Sequence, residues 1–201
     1  GVAGLCSFSS DLELDHDGAF ISFGANDEIK LTHVHDVGLT LKHTATADDK
    51  PIVLTLQTGE TDIAVNDVIG TINFQAPDES TGTDAILVAA GIEAVSEGDF
   101  SSSNNATKLS FKTAASEAAS EKMILSSAGN LGVGITPTNR LHVATGADGV
   151  AARFQRASGG GLIDIEAYNA IGGIGTSDNI PFRFNTNNTE RVRILADGKV
   201  G

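Results

Sequence analysis

His33-Val34-His35 places two imidazoles two residues apart, and on an extended chain that spacing puts both on one face of a strand. Ile29, Leu31 and Val37 are expected to share that face, with Glu28, Lys30, Thr32, Val34 and Asp36 on the other. Imidazole is a ligand suited to iron, zinc or nickel. If the apolar face turned toward a threefold axis, three copies would bring six imidazoles to one structural transition metal, with His33 and His35 as its ligands. The competing reading is a pair of inward histidines satisfied by hydrogen bonds, because buried polar groups ordinarily find protein or water partners.

Other candidate chemistry is weaker. Glu13-Leu14-Asp15-His16-Asp17-Gly18 spaces carboxylates as a calcium loop begins, but the twelfth position is Gly24, where a bidentate Glu is required. An Asp-Gly turn explains it better. Gly159-Gly160-Gly161 and Gly172-Gly173-Ile174-Gly175 lack the strand, helix opening and lysine of a phosphate loop. No nucleophile elbow occurs. A polysaccharide-cleaving pair of carboxylates would normally sit beside an aromatic sugar platform, yet Trp is absent and Tyr168 is the single tyrosine. The chain is therefore expected to be non-catalytic, with no catalytic residues and no organic cofactor.

The elements that must position such residues announce themselves by repetition, which is sought before any local motif is weighed. Glu121-Lys122-Met123-Ile124-Leu125 with Gly129-Asn130-Leu131-Gly132 returns as Glu190-Arg191-Val192-Arg193-Ile194 with Gly198-Lys199-Val200-Gly201. Upstream, Leu109-Ser110-Phe111-Lys112-Thr113 matches Phe182-Arg183-Phe184-Asn185-Thr186, each with apolar residues two apart, which is strand spacing. The copies differ between these strands, where Ala114–Ser120 faces the short Asn187-Asn188-Thr189. That segment is expected to be a loop, being too short to repay helix nucleation. Further back, Ile69–Ile72 is expected to face Ile171–Ile174, and Leu54–Gln57 to face Ala152–Gln155. An insertion near 73–105 would then carry Ala85–Ala90 as a buried strand.

Composition points to an all-β chain: 201 residues, 23 glycines and short apolar runs punctuated by turn residues. Only 5% of residues are aromatic, and a buried aromatic contributes about 150–250 Å². One copy alone would have a thin core, so obligate oligomerisation is expected, with faces buried on neighbouring repeats or on other chains. Leu109, Phe111, Leu125, Leu131, Phe182, Phe184, Ile194 and Val200 should be core or interchain contacts. The net charge of −13 argues against nucleic acid, whose affinity depends on Lys and Arg displacing counterions. No apolar run approaches the ~20 residues of a membrane span. Cys6, the single cysteine, forms no intrachain framework and is expected to act as a small hydrophobe.

Three regions follow. Residues 1–43 are read as successive hairpins, with strands at Leu12–Leu14, Phe20–Phe23 and Ile29–Val34 separated by Asp17-Gly18 and Ala25-Asn26-Asp27. Residues 44–135 form a first β module after a polar linker. Residues 136–201 form a second, truncated module, hinged at Thr136–Asn139 and expected to continue beyond Gly201.

The stretch Glu121–Val143 resembles a signature of bacteriophage tail fibres, and Asn187–Gly201 is similar to a second instance of it. Ile21–Leu41 is similar to hairpin repeats of marine-phage fibre proteins. The resemblance implies an elongated, repeat-containing fibre that is an intertwined homotrimer, a virion structural protein outside the cell. It also implies contact with other tail proteins and a host receptor or glycan during attachment. In that family, similar units precede an intramolecular chaperone domain, and some members use axial His-x-His pairs. Rival readings remain: a host-glycan-binding module using 73–105, within a tail spike or a bacterial surface adhesin, and a polysaccharide depolymerase.

Overall fold

The computed structural model describes residues 9, 11–76, 83–157 and 161–201, which contain β-strands and no helix. Cys6, the 77–82 part of the expected insertion, and Gly159 and Gly160 lie outside the described residues. Two compact units are formed, Gly1–Thr55 and Leu56–Gly201.

The first unit is an antiparallel meander of β1 (Phe20–Phe23), β2 (Ile29–Val34) and β3 (Gly38–His43). Asp27 and Asp36 take positive φ in the two turns, a conformation that short polar side chains tolerate. The register sets Ile21, Leu31 and Leu41 side by side, then Phe23, Ile29 and His43. Leu12–Leu14, expected as a strand, stays irregular, since it pairs with no described strand. Asp17-Gly18 does form the turn, with Gly18 at φ 78°.

In the second unit β4 (Val68–Gln75), β5 (Val88–Ser96), β6 (Thr107–Thr113), β7 (Ser120–Leu125), β8 (Leu131–Val133) and β9 (Leu141–Val143) form one sheet in sequence order. All neighbours are antiparallel except β8 and β9, which are parallel. The Thr136–Asn139 hinge is the crossover between these two, so Leu141–Val143 closes this sheet instead of opening a separate one. A second sheet orders β10 (Gly149–Gln155), β11 (Leu162–Ala167) and β12 (Gly172–Gly175), and β13 (Phe182–Thr186) pairs with β14 (Thr189–Ile194).

Several expectations change. Leu54–Gln57 forms no strand, so it has no structural counterpart in Ala152–Gln155 of β10. Ala85–Ala90 straddles a turn and the start of β5, and it is not buried, because that end of the strand faces solvent. β5 itself is no appendage: it lies between β4 and β6 and pairs with both along its length.

The β6–β7 and β13–β14 hairpins pair residue for residue in the same way. Leu109↔Leu125 and Phe111↔Met123 match Phe182↔Ile194 and Phe184↔Val192, and a bulge interrupts both ladders at the equivalent place. The extra residue is Lys122 in one and Arg191 in the other. Without it, Glu121 would share a face with Met123, two residues on. The bulge moves Glu121 to the opposite face, where Lys108 Nζ lies 2.9 Å from its carboxylate. The following turns also coincide: Gly129 N–H donates to Ser126 O and Gly198 N–H to Leu195 O, each over 2.9 Å, with both glycines at positive φ.

The tips differ for a visible reason. Asn187 and Asn188 make a two-residue turn with φ of 50° and 55°, the mirror-image turn whose twist suits a hairpin. In the first hairpin the tip is the loop that its length required, and it is stitched to β5. Ala114 N–H donates to Ala89 O at 2.9 Å, and Ala119 N–H to Val88 O at 2.8 Å.

Among the described residues only Val95, Ala119, Ile124 and Leu162 are buried apolar side chains. The chain exposes 15145 Å². A compact monomer of 20.6 kDa would expose about 8,900 Å², and two separate compact units about 10,500 Å².

Candidate functional site

Strand register converts the apolar residues of the large sheet into two rows crossing all six strands. Ile72, Ile92, Phe111, Met123, Val133 and Val143 stand side by side, and beside them run Gly70, Ala94, Leu109, Leu125, Leu131 and Leu141. None of the twelve is buried, and Leu141 is 64% exposed. Gly70 and Ala94 leave a shallow groove of about 160 Å³ between Leu56, Ile72, Ile92 and Leu109.

The opposite face inverts the usual arrangement. It carries Thr71, Glu93, Ser110, Lys112 and Glu121, yet Ser110 is 2% and Ile124 4% exposed. The β8–β9 crossover folds back over this side, bringing Ile135 O and Pro137 against Gly132. Lys112 Nζ reaches Glu93 at 2.7 Å. Burial pushes the Glu121 carboxyl up, but hydrogen bonds from Lys108 and Ser110 and the nearby lysine charges outweigh it and leave its pKa lowered.

The smaller sheets repeat the pattern. Ala152, Ile165 and Ile174 line up across β10–β12, with Phe154 opposite Ile163, and Phe154 is 64% exposed. On the other face Asp164 is fully buried. Arg153 grips it with Nε at 2.7 Å and Nη2 at 2.8 Å, and Ser177 Oγ donates to it as well. The hydrogen bonds from Arg153 and then Ser177 hold the Asp164 carboxyl below the usual range against the upward push of burial. In the last hairpin Phe182 and Phe184 pack edge to face, with ring centres 5.0 Å apart. Glu190 accepts two hydrogen bonds from Arg193, at 2.8 and 2.7 Å, which lower its pKa.

His33 lies on β2, but His35 falls in the turn, so the expected shared strand face applies to His33 alone. The rings still converge. His35 Nδ1 is 3.1 Å and His33 Nδ1 3.8 Å from the same oxygen of Asp17, and His35 Nε2 is 3.2 Å from Asp36. Both nitrogens of His35 are thus engaged by carboxylates within one chain. Among the described residues no group of three or more His, Cys, Asp or Glu side chains is arranged to hold a metal ion.

Sequence reasoning missed Asp17 as the partner of both histidines, and missed the Arg153–Asp164–Ser177 cluster. Arg153 and Asp164 become neighbours only once the β10–β11 register is known. No protein-family model matches the chain, and no curated protein matches it.

Proposed function

We propose that this chain is a segment of a bacteriophage tail fibre, a homotrimeric virion structural protein whose work in host attachment is mechanical and adhesive. The observation that carries the reading is how small the core of one copy is among the described residues, four buried apolar side chains. Well-paired sheets hold uncovered apolar faces, which suits a chain that completes its core with other copies. The matched hairpins, with a shared register and bulge, support a repeated fibre module. Their sequence signature supports the tail-fibre assignment. The acidic surface suits a soluble appendage on the outside of the particle, contacting other tail proteins and a host receptor or glycan.

The test is retention of fluorescently labelled protein on a panel of bacterial strains, with the length of their surface polysaccharides followed in parallel. Selective retention with polysaccharide length unchanged is expected. Shortened polysaccharide would favour a depolymerase and overturn the non-catalytic reading, and retention on no strain would remove its adhesive part.

A further inference from the structure

We infer that the apolar face of the six-stranded sheet is the surface on which copies of this chain pack, and that its opposite, ion-paired face looks outward. The inference rests on the oligomeric fibre reading and adds which side of the sheet is turned inward.

Three observations carry it. First, the two rows are continuous. Twelve positions across six strands are apolar or glycine, without one charged residue, none is buried, and Leu56 of the same chain lies only over Gly70 at one edge. Second, the chain lays its β8–β9 crossover on the other side, against Gly132 and beside the buried Ile124. The polar face is thereby covered in part within one copy, while the apolar one is left open apart from Leu56 at the β4 edge. Third, the area is of the right size. Ile72, Phe74, Leu109, Leu125, Val133 and Leu141 are 38–64% exposed, which at ~150–200 Å² per side chain is about 500 Å². The partly buried members of the rows add to this, bringing it toward the ~800 Å² per partner of a stable interface.

The occupant that fits is a second copy. Its matching face is apolar, and the groove at Gly70 and Ala94 has the volume to receive one large aliphatic side chain. An anionic lipid surface would be repelled by a chain of net charge −13. A sheet with one bare apolar face needs such a layer against it.

Thiol accessibility tests this directly in a Cys6→Ser background. Leu125→Cys sits on the apolar face and Asn73→Cys on the opposite one. Native Leu125→Cys should react with a maleimide at least about tenfold more slowly than Asn73→Cys, with the difference erased in denaturant. If both react at the same rate in a protein that light scattering shows to be oligomeric, the assigned surface is wrong while oligomerisation stands. If the protein is monomeric, both fall. Protection that arises only on adding phosphatidylglycerol vesicles would overturn the proposal in favour of lipid. Should Leu125→Cys lose its β-sheet circular dichroism, Val133→Cys on the neighbouring strand carries the same expectation and the same refutation.

Discussion

Replacing Gly132 with Ala probes the crossover that closes the polar face. A Cβ at this position would stand 2.8 Å from Pro137 Cδ and closer still to Ile135 O. Overfilling a packed site costs about 1–3 kcal/mol, and here one obstructing atom is a backbone carbonyl that cannot swing aside as a side chain would. The upper part of that range, about 2–3 kcal/mol, is therefore expected. In a unit of this size each kcal/mol moves the melting temperature by about 2–4 °C, so Gly132→Ala should melt about 4–12 °C lower. Circular dichroism melting at fixed protein concentration measures it, since association makes Tm concentration-dependent. Gly59→Ala is the control: nothing lies within 4 Å of its Cβ and its φ is ordinary, so no loss of stability is expected. Equal melting of Gly132→Ala and the unaltered protein would mean that residues 134–140 do not seat on Gly132 as described.

Other perturbations test separate parts. Gly198→Ala forces an L side chain to φ 84° and should cost about 1–2 kcal/mol in chemical denaturation, although no atom obstructs it. Asp164→Asn should destabilise the β10–β12 sheet at pH 7 and flatten acid unfolding, as melts at pH 7 and pH 3 will show. The folded pKa of Asp164 lies below its unfolded value of about 3.9, so its contribution is complete above that pH and is lost as pH falls through the folded value. For His33 and His35, elemental analysis of protein purified without a metal-affinity tag decides between the two readings: one transition metal per three chains would establish a shared axial site, and none would leave the carboxylate-bound pair seen in one chain.

The class of fold and much of its local order were legible in the sequence. Period-two apolar spacing located Leu109–Thr113, Phe182–Thr186 and Ile29–Val34, and the first glycine of each repeat, Gly129 and Gly198, fell on a positive-φ turn. What sequence could not provide was register. The bulge at Lys122 and Arg191 decides which face Glu121 and Glu190 occupy, and nothing in the residue types marks it. The buried grip of Arg153 on Asp164 likewise depends on strands meeting across a turn. Ala85–Ala90 misled because an unbroken apolar run suggests burial, whereas here it divides between a turn and a strand end. The core residues expected from the repeat, Leu109 and Val200 among them, are apolar in sequence but uncovered in one chain; Val200 is 72% exposed. Periodicity reports that a face is apolar, and it does not report which molecule covers it.

Light scattering coupled to size exclusion tests the central claim most directly, because it reads mass independently of shape. A homotrimer should give about 62 kDa, three times the 20.6 kDa chain, and hold that mass on dilution. A stable species of 20.6 kDa would mean that one copy tolerates these bare apolar faces in water, and would contradict the fibre reading.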